Sequence, residues 1–459
     1  MSSHKRSTSP IPSPTPKRFG SPSTPISPFD SASSSFSHFQ WLPDIGPLGT
    51  VLHAQFGDPV PSEKVACFDF MGTLVEAVSV GKYSVGPNDW RWLVNRKIKQ
   101  GEELVSRSSK EVSPVVQKLR DLHDQGYAIV IFSSTAKFDK NFREVVENVC
   151  TDLNIPLHAF FSTYYDVYRK PCVGMWLEFE KNWNKGTKIN LKESFFVSDA
   201  SGLGKLDYGR KFALNVPLRF YTPHECFFDA EYDSRWRLGD FNPKKYDHNG
   251  PLFMPTSTPL RLRTLSEFDD PVAEVVFFVG RPACGKTFFF NRIFEKPGFV
   301  RITSTDTNQL SRYLQSRISQ NLYVIDVPLP SRASRLDYIQ LFQDISSKRT
   351  SSSPPLPPFT LRCFNFLVSE EVAKHNSQFA ELWDQDETEE GKARSFVDEE
   401  GFTDWRLSYQ VPTLQEGFDE IKEIYFRFDD KWPTEEQGKE RLKKWNLYGD
   451  CYRRDWVTG

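Results

Sequence analysis

Paired cysteines are missing from this chain: its seven cysteines are scattered singly, with no Cys-x-x-Cys pair and no histidine cluster at ligand spacing. That excludes a disulfide scaffold and a zinc site, and it fits a reducing compartment. No run approaches the ~20 apolar residues of a membrane span, and the N-terminus is rich in Ser and Pro rather than apolar, so no signal peptide is legible. Excess charge of one sign is also lacking, since 58 Lys and Arg face 60 Asp and Glu for a net charge of -2. Such a balance does not advertise a nucleic-acid binder, and any basic groove must be local. The expectation is a soluble, intracellular protein whose 459 residues give room for roughly two to three domains.

What is present divides the chain. Residues 1–40 form a Ser/Pro-rich tail with too few apolar residues to offset ordering entropy, so disorder is expected there. Ser9, Ser13, Thr15, Ser21, Thr24 and Ser27 each precede a proline, and Lys5-Arg6 and Lys17-Arg18 fit part of a nuclear import signal. From Trp41 onward, VACFDF (65–70), YAIVIFSS (127–134), ESFFVSD (193–199) and FALNV (212–216) are continuous apolar runs, as in strands buried on both faces of a parallel sheet. Between the first two, residues 112–126 carry helical spacing and end on Gly126, giving a βαβ rhythm. We therefore expect an α/β fold of two parallel-sheet domains, residues 41–240 and 271–430. A Pro- and Asn-containing linker (241–270) joins them, and a charged, aromatic extension (431–459) follows.

The second domain carries the sharpest motif. Gly280-Arg281-Pro282-Ala283-Cys284-Gly285-Lys286-Thr287 matches GxxxxGK[ST] directly after the apolar run EVVFFVG and before the helix-like KTFFFNRIFE. Backbone N–H groups of such a loop close around phosphate oxygens, Lys286 reaches the β/γ-phosphates, and the Thr287 hydroxyl is placed for Mg²⁺. ATP and Mg²⁺ are thus the expected cofactors. Asp326 ends the apolar LYVID, a metal-ligand position, and Asp306 in RITSTDTNQL stands where a general base meets an acceptor hydroxyl. Asp306 reads equally as the N-cap of a helix over TNQLSRYLQ. Arg332 and Arg335, spaced on one helical face, read either as a phosphate clamp or as a solvated basic face.

A second constellation surrounds Asp69, at the end of VACFD. Ser133 ends VIFS, Lys170 lies in the loop YRKP, and Asp199 ends SFFVSD. Together they supply a nucleophile or metal ligand (Asp69), a phosphate-binding hydroxyl, a phosphate-binding ammonium and a second metal ligand, the outline of an aspartyl-phosphate site. Basic-aromatic stretches at WRWLVNRKIK (90–99) and SRWRL (234–238) suit phosphate contact and base stacking, or half-buried packing.

The order of motifs around Asp69 resembles the haloacid-dehalogenase-type phosphatases. With the downstream P-loop, roughly residues 40–428 resemble the polynucleotide kinase 3′-phosphatase family of DNA end-processing enzymes. YRKPCVGMW (168–176), RKFALNV (210–216), RCFNF (362–366), HNSQF (375–379) and VPTLQEGFDEI (411–421) carry the likeness. The resemblance implies a Rossmann-like phosphatase module that removes 3′-phosphates and a P-loop module that phosphorylates 5′-hydroxyls from ATP. Broken DNA ends and proteins of the repair complex, the latter through the N-terminal tail, are the implied partners, and the nucleus is the implied compartment. Site residues carried over are Asp69, Ser133, Lys170 and Asp306 for catalysis; residues 280–287 and Arg335 for the nucleotide; and Asp69, the Met71 backbone carbonyl, Asp199, Thr287 and Asp326 for metal.

Departures from the family are concentrated around the first site. The family's Asp-x-Asp-Gly-Thr reads Asp69-Phe70-Met71-Gly72-Thr73, replacing the aspartate that protonates the leaving oxygen by a thioether. Phe-Thr-Asn-Gln reads Phe-Ser-Ser-Thr, and Gly209 stands where relatives carry a further aspartate, a loss that nearby Asp207 is not expected to make good. In the kinase half, Asp-Asn-Thr-Asn reads Asp-Val-Pro-Leu after Asp326. The expected activity is 5′-hydroxyl phosphorylation with an impaired 3′-phosphatase. The alternatives are a fully bifunctional enzyme and a non-catalytic module that binds DNA ends.

Overall fold

Alternate residues of each central strand fall into different apolar clusters, so both main sheets are covered on two faces. The structure, a computed structural model, describes residues 38–79, 86–95, 112–136, 138–204, 206–239, 241–262, 272–383 and 396–449. The proline-directed sites, both Lys-Arg pairs and residues 96–99 of the first basic-aromatic stretch lie outside these.

The first sheet contains β1 (Phe39–Ile45), β2 (Val51–Phe56) and β3 (Val65–Phe68). A separate small ribbon of β4 (Val75–Glu76) and β5 (Arg91–Trp92) comes next along the chain. β6 (Ala128–Ser134), β7 (Leu157–Ser162), β8 (Phe195–Val197) and β9 (Arg219–Tyr221) complete the sheet, in the order β1-β2-β7-β6-β3-β8-β9. From β7 to β9 the pairings are parallel. Within β3, Ala66 and Phe68 join one core while Val65 and Cys67 join the other. β6 and β8 flank β3 on opposite sides, so the chain switches direction there, and the crevice at the carboxyl ends of those strands is where such sheets bind ligands.

The second sheet repeats this logic. β10 (Phe253–Met254), β11 (Glu274–Val279), β12 (Val300–Ile302), β13 (Leu322–Ile325), β14 (Thr360–Phe366) and β15 (Glu420–Ile424) assemble in the order β10-β15-β14-β11-β13-β12. Val275, Phe277 and Val279 face one core, and Val276 and Phe278 the other. Arg362 crosses three strands without exposure, pairing with Glu274 and Glu420 at 2.5 Å each. A buried guanidinium is tolerated because its donors are matched.

One stretch differs from its sequence reading, and two others take on structure that the reading left open. FALNV is not a strand: Tyr208–Asn215 is a helix, with residues 209–213 all buried. A short continuous apolar run cannot separate strand from buried helix; here the Asp207–Lys211 pair, at 3.2 Å, spans one helical turn. The described part of the linker contributes β10 to the second sheet and packs Phe241, Tyr246, Leu252, Phe253 and Leu260 against its core. Beyond residue 430 the chain forms a helix, Glu435–Trp445, capped by Thr434 and anchored by Trp445 in that same core. Asn215 donates to the Tyr448 carbonyl and accepts from its N–H, tying this segment to the helix beside β8.

Candidate active sites

Asp69 follows β3 at the switch point, 4 % exposed, and both carboxylate oxygens are held. Oδ1 accepts from Ser133 Oγ (2.8 Å) and the Phe70 N–H (2.9 Å); Oδ2 meets the Lys170 ammonium at 2.5 Å and accepts from Ser198 Oγ at 3.1 Å. Lys170 also donates to the Phe132 carbonyl (2.8 Å). Its burial draws the ammonium below its ordinary range, against the pull of Asp69 and Asp199. Strands β3, β6 and β8 thus bring Asp69, Ser133 and Asp199 to one edge, and the 168–171 loop delivers Lys170.

The Asp199 carboxylate lies against Gly72. Gly72 takes φ +78°, and a Cβ there would stand 2.6 Å from Asp199 Oδ2, so the turn both needs a left-handed residue and leaves no room for a side chain. Burial, reinforced by the neighbouring Asp69 carboxylate, pushes Asp199 up to about 6. Two carboxylates that repel one another, Asp69 and Asp199, are donors of the kind Mg²⁺ takes, since it commonly binds one or two carboxylates and keeps waters. A divalent cation at this first site would rest on Asp199 and share Asp69 with the Lys170 ammonium already paired to it.

Met71 does not replace the missing acid. Its side chain is half-buried and packs against the apolar core that includes Phe70 and Leu74. Asp207 does not stand in either: it accepts from the Gly239 N–H at 2.8 Å and pairs with Lys211. At Gly209 a Cβ would sit 2.4 Å from Ser198 Oγ, so this backbone has no space for an aspartate there. Ser198 escapes the sequence reading, although its position just before Asp199 placed it at the same strand end.

The P-loop bridges β11 and the helix Lys286–Ile293, with Gly285 at φ +95° before it. Lys286 Nζ folds back onto the carbonyls of Gly280 (2.7 Å) and Arg281 (2.9 Å). Beside Gly285, Lys286 and Thr287 opens a cavity of about 610 Å³, also lined by Asn376, Tyr425 and Arg441. Its size suits a nucleotide. Asn376 comes from the HNSQF stretch, whereas Arg441 lies on the helix of the C-terminal extension.

Asp306 is the N-cap of the helix Thr307–Ser316, with its Oδ1 accepting from the N–H groups of Asn308 and Gln309, each at 3.0 Å. Arg335 is corrected: it is fully buried and bidentate to Glu416 at 2.7 and 2.8 Å, with its remaining donors on the Leu329 and Pro330 carbonyls. It holds the fold, not a phosphate. Arg332, at the solvent-facing start of the same helix, donates its N–H to Gln410. Thr287 and Asp326 do come together, but through a third residue: Arg301 Nη2 donates to Thr287 Oγ1 (2.8 Å) and Asp326 Oδ2 (2.6 Å), and its Nε to the same Oδ2 (3.0 Å). As arranged, these two oxygens do not offer a divalent cation an open position.

Of the basic-aromatic stretches, Trp90 and Trp92 pack edge-to-face against one another and onto the first core. Trp236 carries the Arg210 guanidinium 4.4 Å over its ring.

An Asp-centred pocket on one α/β sheet and a P-loop on the next define a phosphoryl-handling enzyme with two separate centres. The family model described as polynucleotide kinase 3 phosphatase matches residues 64–227. A Schizosaccharomyces pombe protein named bifunctional polynucleotide phosphatase/kinase is 25 % identical over 396 residues, 83 % of this chain and 85 % of that one. A mimivirus protein named putative bifunctional polynucleotide phosphatase/kinase is 24 % identical over 433 residues, 85 % and 90 % of the two chains. The Arabidopsis thaliana polynucleotide 3′-phosphatase ZDP is 32 % identical over 214 residues, 41 % of this chain and 28 % of its own. The family match and these relatives support the polynucleotide kinase 3′-phosphatase family for this chain, as an enzyme of the kinase/phosphatase type.

Proposed function

We propose that this protein processes the ends of broken DNA in the nucleus, phosphorylating 5′-hydroxyls from ATP while its 3′-phosphatase centre is impaired. The observation that carries this reading is the pairing of an intact P-loop with Met71, whose thioether carries no proton and packs into the core.

In the kinase half, Lys286 leaves the Gly280 and Arg281 carbonyls to meet the nucleotide phosphates, and Asp306, exposed and fixed through Oδ1, accepts the acceptor's proton. The 5′-oxygen attacks the γ-phosphorus, the β–γ bridging bond breaks, and ADP departs. In the phosphatase half, Asp69 attacks phosphorus as the bond to the 3′-oxygen breaks, with Ser133 and Lys170 holding the phosphate oxygens, and water then hydrolyses the aspartyl-phosphate to release inorganic phosphate and regenerate Asp69. A Mg²⁺ between Asp69, the Met71 carbonyl and Asp199 would neutralise phosphate charge. The leaving alkoxide needs a proton that position 71 no longer supplies, a loss of about 10²–10⁴-fold in rate. The complete Asp69–Ser133–Lys170–Asp199 constellation favours a second reading, bifunctionality with solvent as the slow proton source.

The test is to incubate the full chain with ATP, Mg²⁺ and a nicked duplex bearing 5′-hydroxyl and 3′-phosphate ends, following both. The expected result is 5′-phosphorylation abolished by Lys286→Ala, with the 3′-phosphate retained. Fast 3′-phosphate release abolished by Asp69→Ala contradicts the impairment, and retained end binding without turnover of either end contradicts catalysis altogether.

A further inference from the structure

The position of Arg301 carries a consequence for how the P-loop holds a nucleotide. β12 is a short strand in which Val300 and Ile302 pack toward one core, and the alternation of the strand sends Arg301 to the opposite face, onto the P-loop helix. There its guanidinium lies 5.4 Å over the Phe290 ring and places two nitrogens on Asp326 Oδ2 and one of them also on Thr287 Oγ1. Asp326 has only 6 % of its side chain exposed and Arg301 17 %. A desolvated carboxylate of this kind requires a cation, and the Arg301 side chain supplies one.

The residues after Asp326 agree. Val327, Pro328 and Leu329 add no side-chain oxygen, and Val327 and Leu329 are buried in the apolar core. A hydrated divalent ion would find one hydroxyl and one carboxylate, both already accepting from a guanidinium. Like charges at such separation disfavour one another, so the ion and the guanidinium compete for one place.

We propose that Arg301 is the resident cation of the nucleotide site: it occupies the position between Thr287 and Asp326 that a divalent ion would take and makes nucleotide binding independent of that ion. The guanidinium, with its fork of donors and permanent charge, is suited to bridge these oxygens and present its remaining donors to phosphate. The inference rests on the nucleotide-site reading above and goes beyond it in naming the counter-charge.

Equilibrium titration of ATP into the full chain, in EDTA and in excess Mg²⁺, tests it without reference to turnover. Wild type is expected to bind ATP with affinities within about threefold of one another in the two conditions. Arg301→Gln is expected to bind at least about tenfold more weakly in EDTA and to recover in Mg²⁺, while Arg301→Lys falls between them. Wild-type binding that requires Mg²⁺ overturns the inference while leaving the P-loop reading intact, and this comparison needs no variant to fold. Absence of ATP binding in both conditions overturns the nucleotide reading and this inference together.

Discussion

The Lys170 ammonium meets Asp69 Oδ2 at 2.5 Å, with side chains exposed 0 % and 5 % respectively. Neither charge has water to turn to. Removing one member of a buried pair leaves the other uncompensated, at a typical cost of 3–5 kcal/mol. Lys170→Met is therefore expected to destabilise the first domain by about 3 kcal/mol, and Asp69→Asn combined with Lys170→Met to recover a substantial part. Urea denaturation of the full chain, analysed as a double-mutant cycle, checks this. Additive losses would show that the two groups do not act as a pair.

Arg335 and Glu416 make the same argument in the second domain, with a different functional consequence. Arg335→Met is expected to lower stability by about 3–5 kcal/mol, yet to leave ATP affinity within about twofold at temperatures where the variant is folded. A selective loss of ATP affinity would return Arg335 to the nucleotide site.

His53 and His158 share a 3.2 Å contact inside the first domain, where His53 stacks on Phe160. Burial first, then His158, lowers His53 to about 3; burial, then Lys185, lowers His158 to about 4. In the unfolded chain both titrate near 6.5. Above that pH both states are neutral and no penalty arises; below it the unfolded chain takes up protons that the folded pair refuses. Stability therefore falls as the pH drops from about 6.5 toward 4, by about 2 kcal/mol per histidine at pH 5. Melting temperatures at pH 7.5 and 5 measure the drop, and His53→Phe should remove about half of it. A drop unchanged in that variant would place the sensitivity elsewhere.

The site residues that sequence reading reaches are those standing at the ends of apolar runs. Asp69, Ser133 and Asp199 follow β3, β6 and β8, and the P-loop follows β11, because a parallel sheet delivers all its carboxyl-end residues to one edge. What escapes depends on contacts distant in sequence. Arg335 looks like a clamp because its partner Glu416 lies 81 residues downstream. Arg301 carries no motif that singles it out, and its partners appear only when β12 is set beside β13 and Asp326. The apolar residues of 241–262 have no period, since each fills a separate gap in the second core. FALNV shows the limit of composition: its burial was legible, its helical geometry was not.

The central claim concerns one side chain and is tested by restoring it. Met71→Asp in the full chain, assayed for release of inorganic phosphate from a 3′-phosphorylated nick, should raise the 3′-phosphatase rate by about 10²–10⁴-fold and leave 5′-hydroxyl phosphorylation unchanged. A wild-type rate already equal to that of the variant, and abolished by Asp69→Ala, would contradict it.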